Sequence, residues 1–399
     1  MQELLVASDL DALLVVANSA RDPDLAPFVG SAHLGESLLV VPRVGAVQLG
    51  FWSPMERDEA ASTGLELLSP EVLEIGRWAR ELLAAESMLA RVLATALQKL
   101  APRSRVALAG HPAAGTLHQA CQRLGGEGWR FVDGSGLLRR ARKKKSEDEI
   151  EAIRLAASGT VEAMRRVAEL LAAATADHAG ELWMHGERLR VARLRAEIAQ
   201  VFARYGLEQP EGNLLACAGD AGVPHNQGSN ERVVRHCEAV LVDLFPKGRL
   251  FADCTRTFCV GQPAESLLRA HATVLATLRE AHAQTRAGVR GWDLQEQTCA
   301  TFDAAGYATP LTSPGTTVGY VHGLGHGVGY ELHEEPSFRK EAGGEGTFEV
   351  GDVLTLEPGL YDPNPQGGYG IRLEDLVWLG PDGAESLTPL PYDLDPKSW

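Results

Sequence analysis

The sequence predicts an α/β (α+β) protein of two domains: a small N-terminal α/β domain over residues 1–140, then a larger mixed domain over 146–399. Three observations carry this expectation. Short apolar runs alternate with helical patterns before residue 138. A basic seam, LRRARKKKS, follows at 138–146. A strong helix-start signal then opens a second stretch with its own periodicity. At 399 residues the chain is long enough for two to three domains, and 45% hydrophobic with 23% charged residues is ordinary globular composition. The 38 basic residues against 53 acidic ones give a net charge of −15, which argues against a nucleic-acid binder because phosphate affinity needs clustered Lys and Arg. No apolar run approaches the ~18 residues of a membrane-spanning helix. The six cysteines form no CxxC pair and the N-terminus lacks a basic flank, so a cytoplasmic location is expected.

In the first domain, ALLVV (12–16), SLLVVP (37–42) and RVALAG (105–110) read as strands. One helix is expected from about Pro70 to Leu100, another around Leu117 and Cys121. Nothing there groups acids, histidines or cysteines, so a cover, spacer or oligomerisation role is expected. The basic run Arg139–Lys145 reads as a solvated connector. Ser146 and Glu149 form a capping box, in which each side chain satisfies an orphan amide at the helix start. Ile150, Ile153, Ala157, Val161, Met164, Val167 and Leu171 then mark one buried face. Further helices are expected over roughly 179–204, 264–286 and 291–305. Each half of this domain reads as helices followed by strands, consistent with a duplicated unit.

EAVLVDLFPKGRLFADCTRTFCVG (238–261) reads as a β-hairpin. Strand alternation puts Leu241, Asp243 and Phe245 on one side, and Phe251, Asp253, Thr255 and Thr257 on one side of the return strand. A loop over 247–249 would set Asp243 opposite Asp253. Two acids amid apolar strands are costly unless a cation or proton pairs them. HGLGHGVGYELHEEP (322–336) carries His322, His326 and His333 among glycines that would weaken a helix and permit close backbone approach. It matches neither GxGxxG nor HExxH. DVLTLEPGLY (352–361) ends a strand at Glu357, and GYGIRLEDLVWLG (368–380) sets Arg372 and Glu374 on one strand face, with Leu373 and Asp375 on the other. Asp243, Asp253, His326, Glu357 and Glu374 form an oxygen-rich set with one imidazole, suited to a pair of divalent cations. Four carboxylates balance two such ions. Without them, carboxylates about 4 Å apart repel by roughly 4 kcal/mol per pair at an effective dielectric of 20.

The ordered series DLFPKGRLFADCTRTF, HGLGHGVG, LHEEP, TLEPGLY and GIRLED resembles the pita-bread (creatinase/aminopeptidase) metallopeptidases: methionine aminopeptidase, aminopeptidase P and prolidase. The leading segment resembles the N-terminal domain of prolidase, aminopeptidase P and creatinase. The resemblance implies two divalent metal ions per subunit, Mn²⁺ first with Co²⁺ or Zn²⁺ also fitting, and a homodimer. It implies that Asp243, Asp253, His326, Glu357 and Glu374 are the ligands, with Asp253 and Glu374 bridging. It also implies an Xaa-Pro dipeptide as substrate, cleaved by a metal-bridging hydroxide with Glu357 as general base. His333, helped by His225 of VPHNQGS, would stabilise the oxyanion, while His322, His333 and Arg372 would contact substrate. Nine residues separate the two aspartates, one fewer than is usual in the family, and the deletion is placed in the turn around 246–249 because a deletion within a strand would flip one Asp to the other face. The segment 179–194 is longer than expected and has no assigned role. Prolidase is favoured over aminopeptidase P by the compact leading domain and the cations near a carboxylate site. A silent pita-bread binding module would be expected to have lost ligands.

Overall fold

A computed structural model describes residues 1–81, 83–100, 104–340 and 346–399. The chain divides into two units, Met1–Arg142 and Lys143–Trp399. Among the described residues no helix is long and apolar enough to cross a membrane.

The first unit is built on a six-stranded sheet in the order Glu66–Leu68, Gln48–Phe51, Ser37–Pro42, Ala12–Ala17, Arg105–Ala109 and Arg130–Asp133. Ala12–Ala17 is buried along its whole length and sits centrally, antiparallel to Ser37–Pro42 and parallel to Arg105–Ala109. Its alternate residues feed two cores, Leu13 and Val15 on one face and Leu14 and Val16 on the other, which is why the run is continuously apolar. The helix expected over 70–100 is two, Ile75–Arg80 and Ala85–Ala96. Extended backbone at Ala84 separates them, so that Trp78 and the Val92, Leu93 and Ala96 face reach the same core. The structure also gathers acids and a histidine that lie far apart in sequence: Asp22, Asp24 and His111. Their carboxylate oxygens are already engaged, by the amides of Asp24, Gly110 and His111 and by the Arg142 guanidinium at 3.1 Å. This cluster is a structural clamp. The basic run is therefore not simply solvated: Arg142 is buried against Asp24, and Lys145 is buried against Glu334.

In the second unit the capping box at Ser146 and Glu149 starts helix Glu147–Ala173 as expected. The stretch 179–204 is only half helical. Thr175–Ala176, Leu182–Met184 and Glu187–Arg188 form a small antiparallel sheet, and the helix begins at Val191. The turn between the last two of these strands places His185 and Gly186 at φ 51° and 82°, the paired positive values of a tight hairpin that the helical periodicity concealed. Helices Glu265–Gln284 and Gly291–Ala304 match expectation. Each half of the unit runs as two long helices and then antiparallel strands. The first half ends in the sheet Leu214–Cys217, Ala239–Leu244 and Cys254–Cys259. The second ends in a five-stranded sheet ordered Glu334–Ser337, His326–Gly327, Val353–Leu356, Asp375–Gly380 and Gly383–Ser386, and in the separate pair Gly359–Asp362 and Tyr369–Arg372, whose second strand packs on Ala239–Leu244 and Cys254–Cys259. The segment 368–380 is thus two strands with Leu373 and Glu374 at the break, because its halves pair with different partners.

Candidate metal centre

Four strand ends and one glycine-rich loop converge to make the site. In the hairpin, Asp243 pairs with Thr255 rather than with Asp253, a register shifted by two residues from expectation. The bridge between Lys247 and Phe251 moves the turn to 248–250, and Gly248 donates to the Leu250 carbonyl at 3.0 Å. A shift of two preserves face, so Asp243 and Asp253 still share a side, diagonal to one another. Both are buried, and each keeps one oxygen, Oδ1, without a hydrogen-bond partner among the described residues.

The loop at 322–336 approaches this face closely. A Cβ at Gly325 would overlap the Thr355 carbonyl, and one at Gly327 the backbone of Glu335, so these positions accept no side chain. His326 rests its amide on Thr355 Oγ1 at 3.1 Å and donates Nδ1–H to its neighbour's carbonyl at 3.1 Å. That leaves Nε2 with its lone pair, 3.5 Å from Glu357 Oε1 and 3.7 Å from Asp253 Oδ2. Donor atoms of Asp253, His326 and Glu374 all lie within 4.8 Å of one another. Glu374 follows the strand break and takes a hydrogen bond from Thr255 Oγ1 at 2.7 Å.

The electrostatics are those of acids crowded without their counter-charge. Burial first, and then Glu374, Asp243 and Glu357, push Asp253 well above the ordinary carboxylate range. Burial and its acidic neighbours do the same to Glu374. Glu357 rises to about 7, again chiefly by burial, with Arg372 opposing. Burial, and then the adjacent His333, lowers His326 to about 3, so its imidazole is neutral and ready to donate a lone pair. His333 is also lowered, by partial desolvation and then by His225. Its ring centroid lies 4.2 Å from that of His326. His225 also disfavours protonation of His322.

His322 and Arg372, expected to contact substrate, are hydrogen-bonded within the protein. His322 donates Nδ1–H to the Gly323 carbonyl at 2.7 Å and accepts the Tyr361 hydroxyl on Nε2 at 2.7 Å. Burial lowers it to about 3, so it brings no positive charge near neutral pH. Arg372 is buried and donates to Asp243 Oδ2, to Thr255 Oγ1 at 3.0 Å and to the Tyr361 hydroxyl at 3.0 Å. A buried guanidinium is stable only when so paired. Tyr361 and Thr255 hydrogen-bond the candidate site residues His322, Arg372 and Glu374, and the sequence alone assigned neither a role. Thr255 was legible, because it alternates with Asp253 on one strand face. Tyr361 became visible only when its strand folded beside that of Arg372.

Comparison with known proteins agrees with this geometry. Residues 151–381, more than half the chain, match the sequence profile of metallopeptidase family M24. The chain belongs to that family. A probable dipeptidase PepE of Mycobacterium bovis is 29% identical over 261 residues, 65% of this M24 chain and 62% of that relative's own length. The prolidase of Pyrococcus horikoshii OT3 superposes with a TM-score of 0.75 at 20% identity, covering 98% of both chains. An X-Pro aminopeptidase of Thermotoga maritima MSB8 gives 0.70 at 21% identity, covering 98% of this chain and 97% of its own. The fold is the pita-bread fold.

M24 membership implies divalent metal ions, and the residues fit them. Orphaned Oδ1 atoms on two buried aspartates, a neutral imidazole and acids held above their ordinary range all describe a cation site. A pH dependence follows. Below about 7 the metal-free Glu357 carries a proton that binding must displace. Divalent-ion affinity is therefore expected to rise with pH toward 7, with proton release. Titration calorimetry at pH 6 in two buffers of different ionisation enthalpy checks this, and identical apparent enthalpies would contradict it.

Proposed function

We propose that this M24 chain is an Xaa-Pro dipeptidase that works with two divalent ions per subunit, Mn²⁺ being the best match to a carboxylate-rich donor set. The observation that carries the metal chemistry is the pair of buried Oδ1 atoms on Asp243 and Asp253 without a partner among the described residues, together with a neutral His326 whose Nε2 lies 3.7 Å from Asp253 Oδ2. The dipeptide preference draws on the relative named a probable dipeptidase and on the compact leading unit.

Asp243, Asp253, His326, Glu357 and Glu374 would hold the ions. When bound, they supply Lewis acidity, lowering the pKa of water and polarising a carbonyl. The Glu357 carboxylate takes the proton of the attacking water and returns it to the leaving proline nitrogen. His333 directs an imidazole N–H at the developing oxyanion, with His225 beside it. Arg372 and Tyr361 hold Asp243 and His322 in orientation and keep the site's negative charge from dispersing the hairpin.

Purified chain loaded with Mn²⁺, assayed on Xaa-Pro dipeptides and on matched Xaa-Pro tripeptides, tests the reading. Dipeptides are expected to turn over at least ~10-fold faster, the discrimination one binding contact supplies. Equal rates would make the chain an aminopeptidase P. Absence of hydrolysis with Mn²⁺, Co²⁺ and Zn²⁺ alike would make it a binding module.

A further inference from the structure

Behind the His333 loop lies an ion pair that the proposed chemistry does not use. Lys145 Nζ donates to Glu334 Oε1 at 2.7 Å, and both side chains are wholly buried. Lys145 is fixed from its own side: its amide donates to the Gly351 carbonyl at 2.9 Å, Nζ also reaches the Lys143 carbonyl at 3.1 Å, and the next residue caps the long helix. Glu334 is fixed too, since its second oxygen accepts the Glu331 amide at 3.2 Å and its backbone pairs with Gly327, the neighbour of His326. Room for the pair comes from Gly329, where a Cβ would overlap Glu334 Oε1 and lie 2.8 Å from Lys145 Cε. The strand Glu334–Ser337 begins directly after His333, so the buried Glu334 carboxylate and the exposed His333 imidazole, packed against the His326 ring, are joined by one peptide.

We infer that Lys145 is a positioning residue for His333: its buried ammonium holds the Glu334 carboxylate, and the shared peptide aims the imidazole. A pair serving stability alone is replaceable by apolar side chains of similar volume, often without loss. A pair that aims a catalytic group is not replaceable in that way, because a displacement of about 1 Å costs up to ~100-fold in rate. The inference rests on the hydrolytic role proposed for His333.

The test compares wild type, Lys145→Met and the double variant Lys145→Met/Glu334→Leu, all loaded with Mn²⁺. Lys145→Met removes the ammonium from beside a buried carboxylate and is expected to lower both Tm and kcat. The double variant is expected to recover Tm while kcat stays ~10- to 100-fold down, with KM changed less than ~3-fold. If Lys145→Met does not fold, the double variant alone decides. Amide hydrogen exchange at 329–335 in metal-free protein gives a readout independent of turnover, and protection there is expected to fall in the double variant. Recovery of kcat together with Tm, or unchanged exchange, would overturn the inference. An inactive wild type would instead overturn the dipeptidase reading, while the exchange result would still report on whether the pair orders the loop.

Discussion

Asp253→Ala is expected to abolish metal-dependent hydrolysis, by about 10⁴-fold or more, and to leave a folded chain. Asp253 is buried, one oxygen has no partner among the described residues, and its other oxygen faces His326 at 3.7 Å. Its burial is costly in the metal-free chain, where Glu374, Asp243 and Glu357 all disfavour its charge. Removing it therefore relieves repulsion, and metal-free Tm should be no lower than that of wild type. What disappears is the gain on adding metal. For wild type, a free ion at 100 times its Kd stabilises the fold by about 2.7 kcal/mol per site. Thermal unfolding in chelator and in excess Mn²⁺, with a hydrolysis assay on the same samples, measures both effects. Near-normal turnover, or an undiminished metal-induced rise in Tm, would remove Asp253 from the centre.

His333→Ala is the second large effect, with kcat expected to fall by roughly two to three orders of magnitude at nearly constant KM. His333 is exposed at the open side of the site, so truncation leaves no buried cavity and Tm should move little. Its imidazole lies beside that of His326, and partial desolvation together with His225 lowers its pKa, so near neutral pH it is an uncharged N–H donor. Such a donor acts where charge develops, which is the transition state rather than the bound substrate. An effect confined to KM would reassign it to ground-state binding. The contrast with Asp253→Ala is informative, because metal-induced stabilisation should survive in His333→Ala.

Much of the site was readable before any fold was known. Acids at alternating positions in apolar strands declare a cost that only a cation or proton removes, and histidines among glycines declare a loop that backbone must approach closely. Strand parity carried Asp243 and Asp253 to one face even though the register moved by two, because face depends on parity and not on the exact partner. The single helix over 70–100 and the helical start at 179 failed for a shared reason. Helical spacing of apolar residues does not reveal where the backbone turns, and the positive φ at His185 and Gly186 is local geometry without a strong pattern.

Residue type and order along the chain determined the chemistry available to this protein: five candidate metal ligands of three residue types, a set of imidazoles and the elements that carry them. Partner choice belonged to the tertiary structure. Only there does Arg372 meet Asp243 and Tyr361, does Arg142 leave solvent for Asp24, and does Lys145 reach Glu334 across 189 positions. A long cationic side chain reads the same in sequence whether it is solvated or buried. Which of these it becomes is set by the acid that folding brings within reach, since burial of a charge is tolerated only beside its opposite.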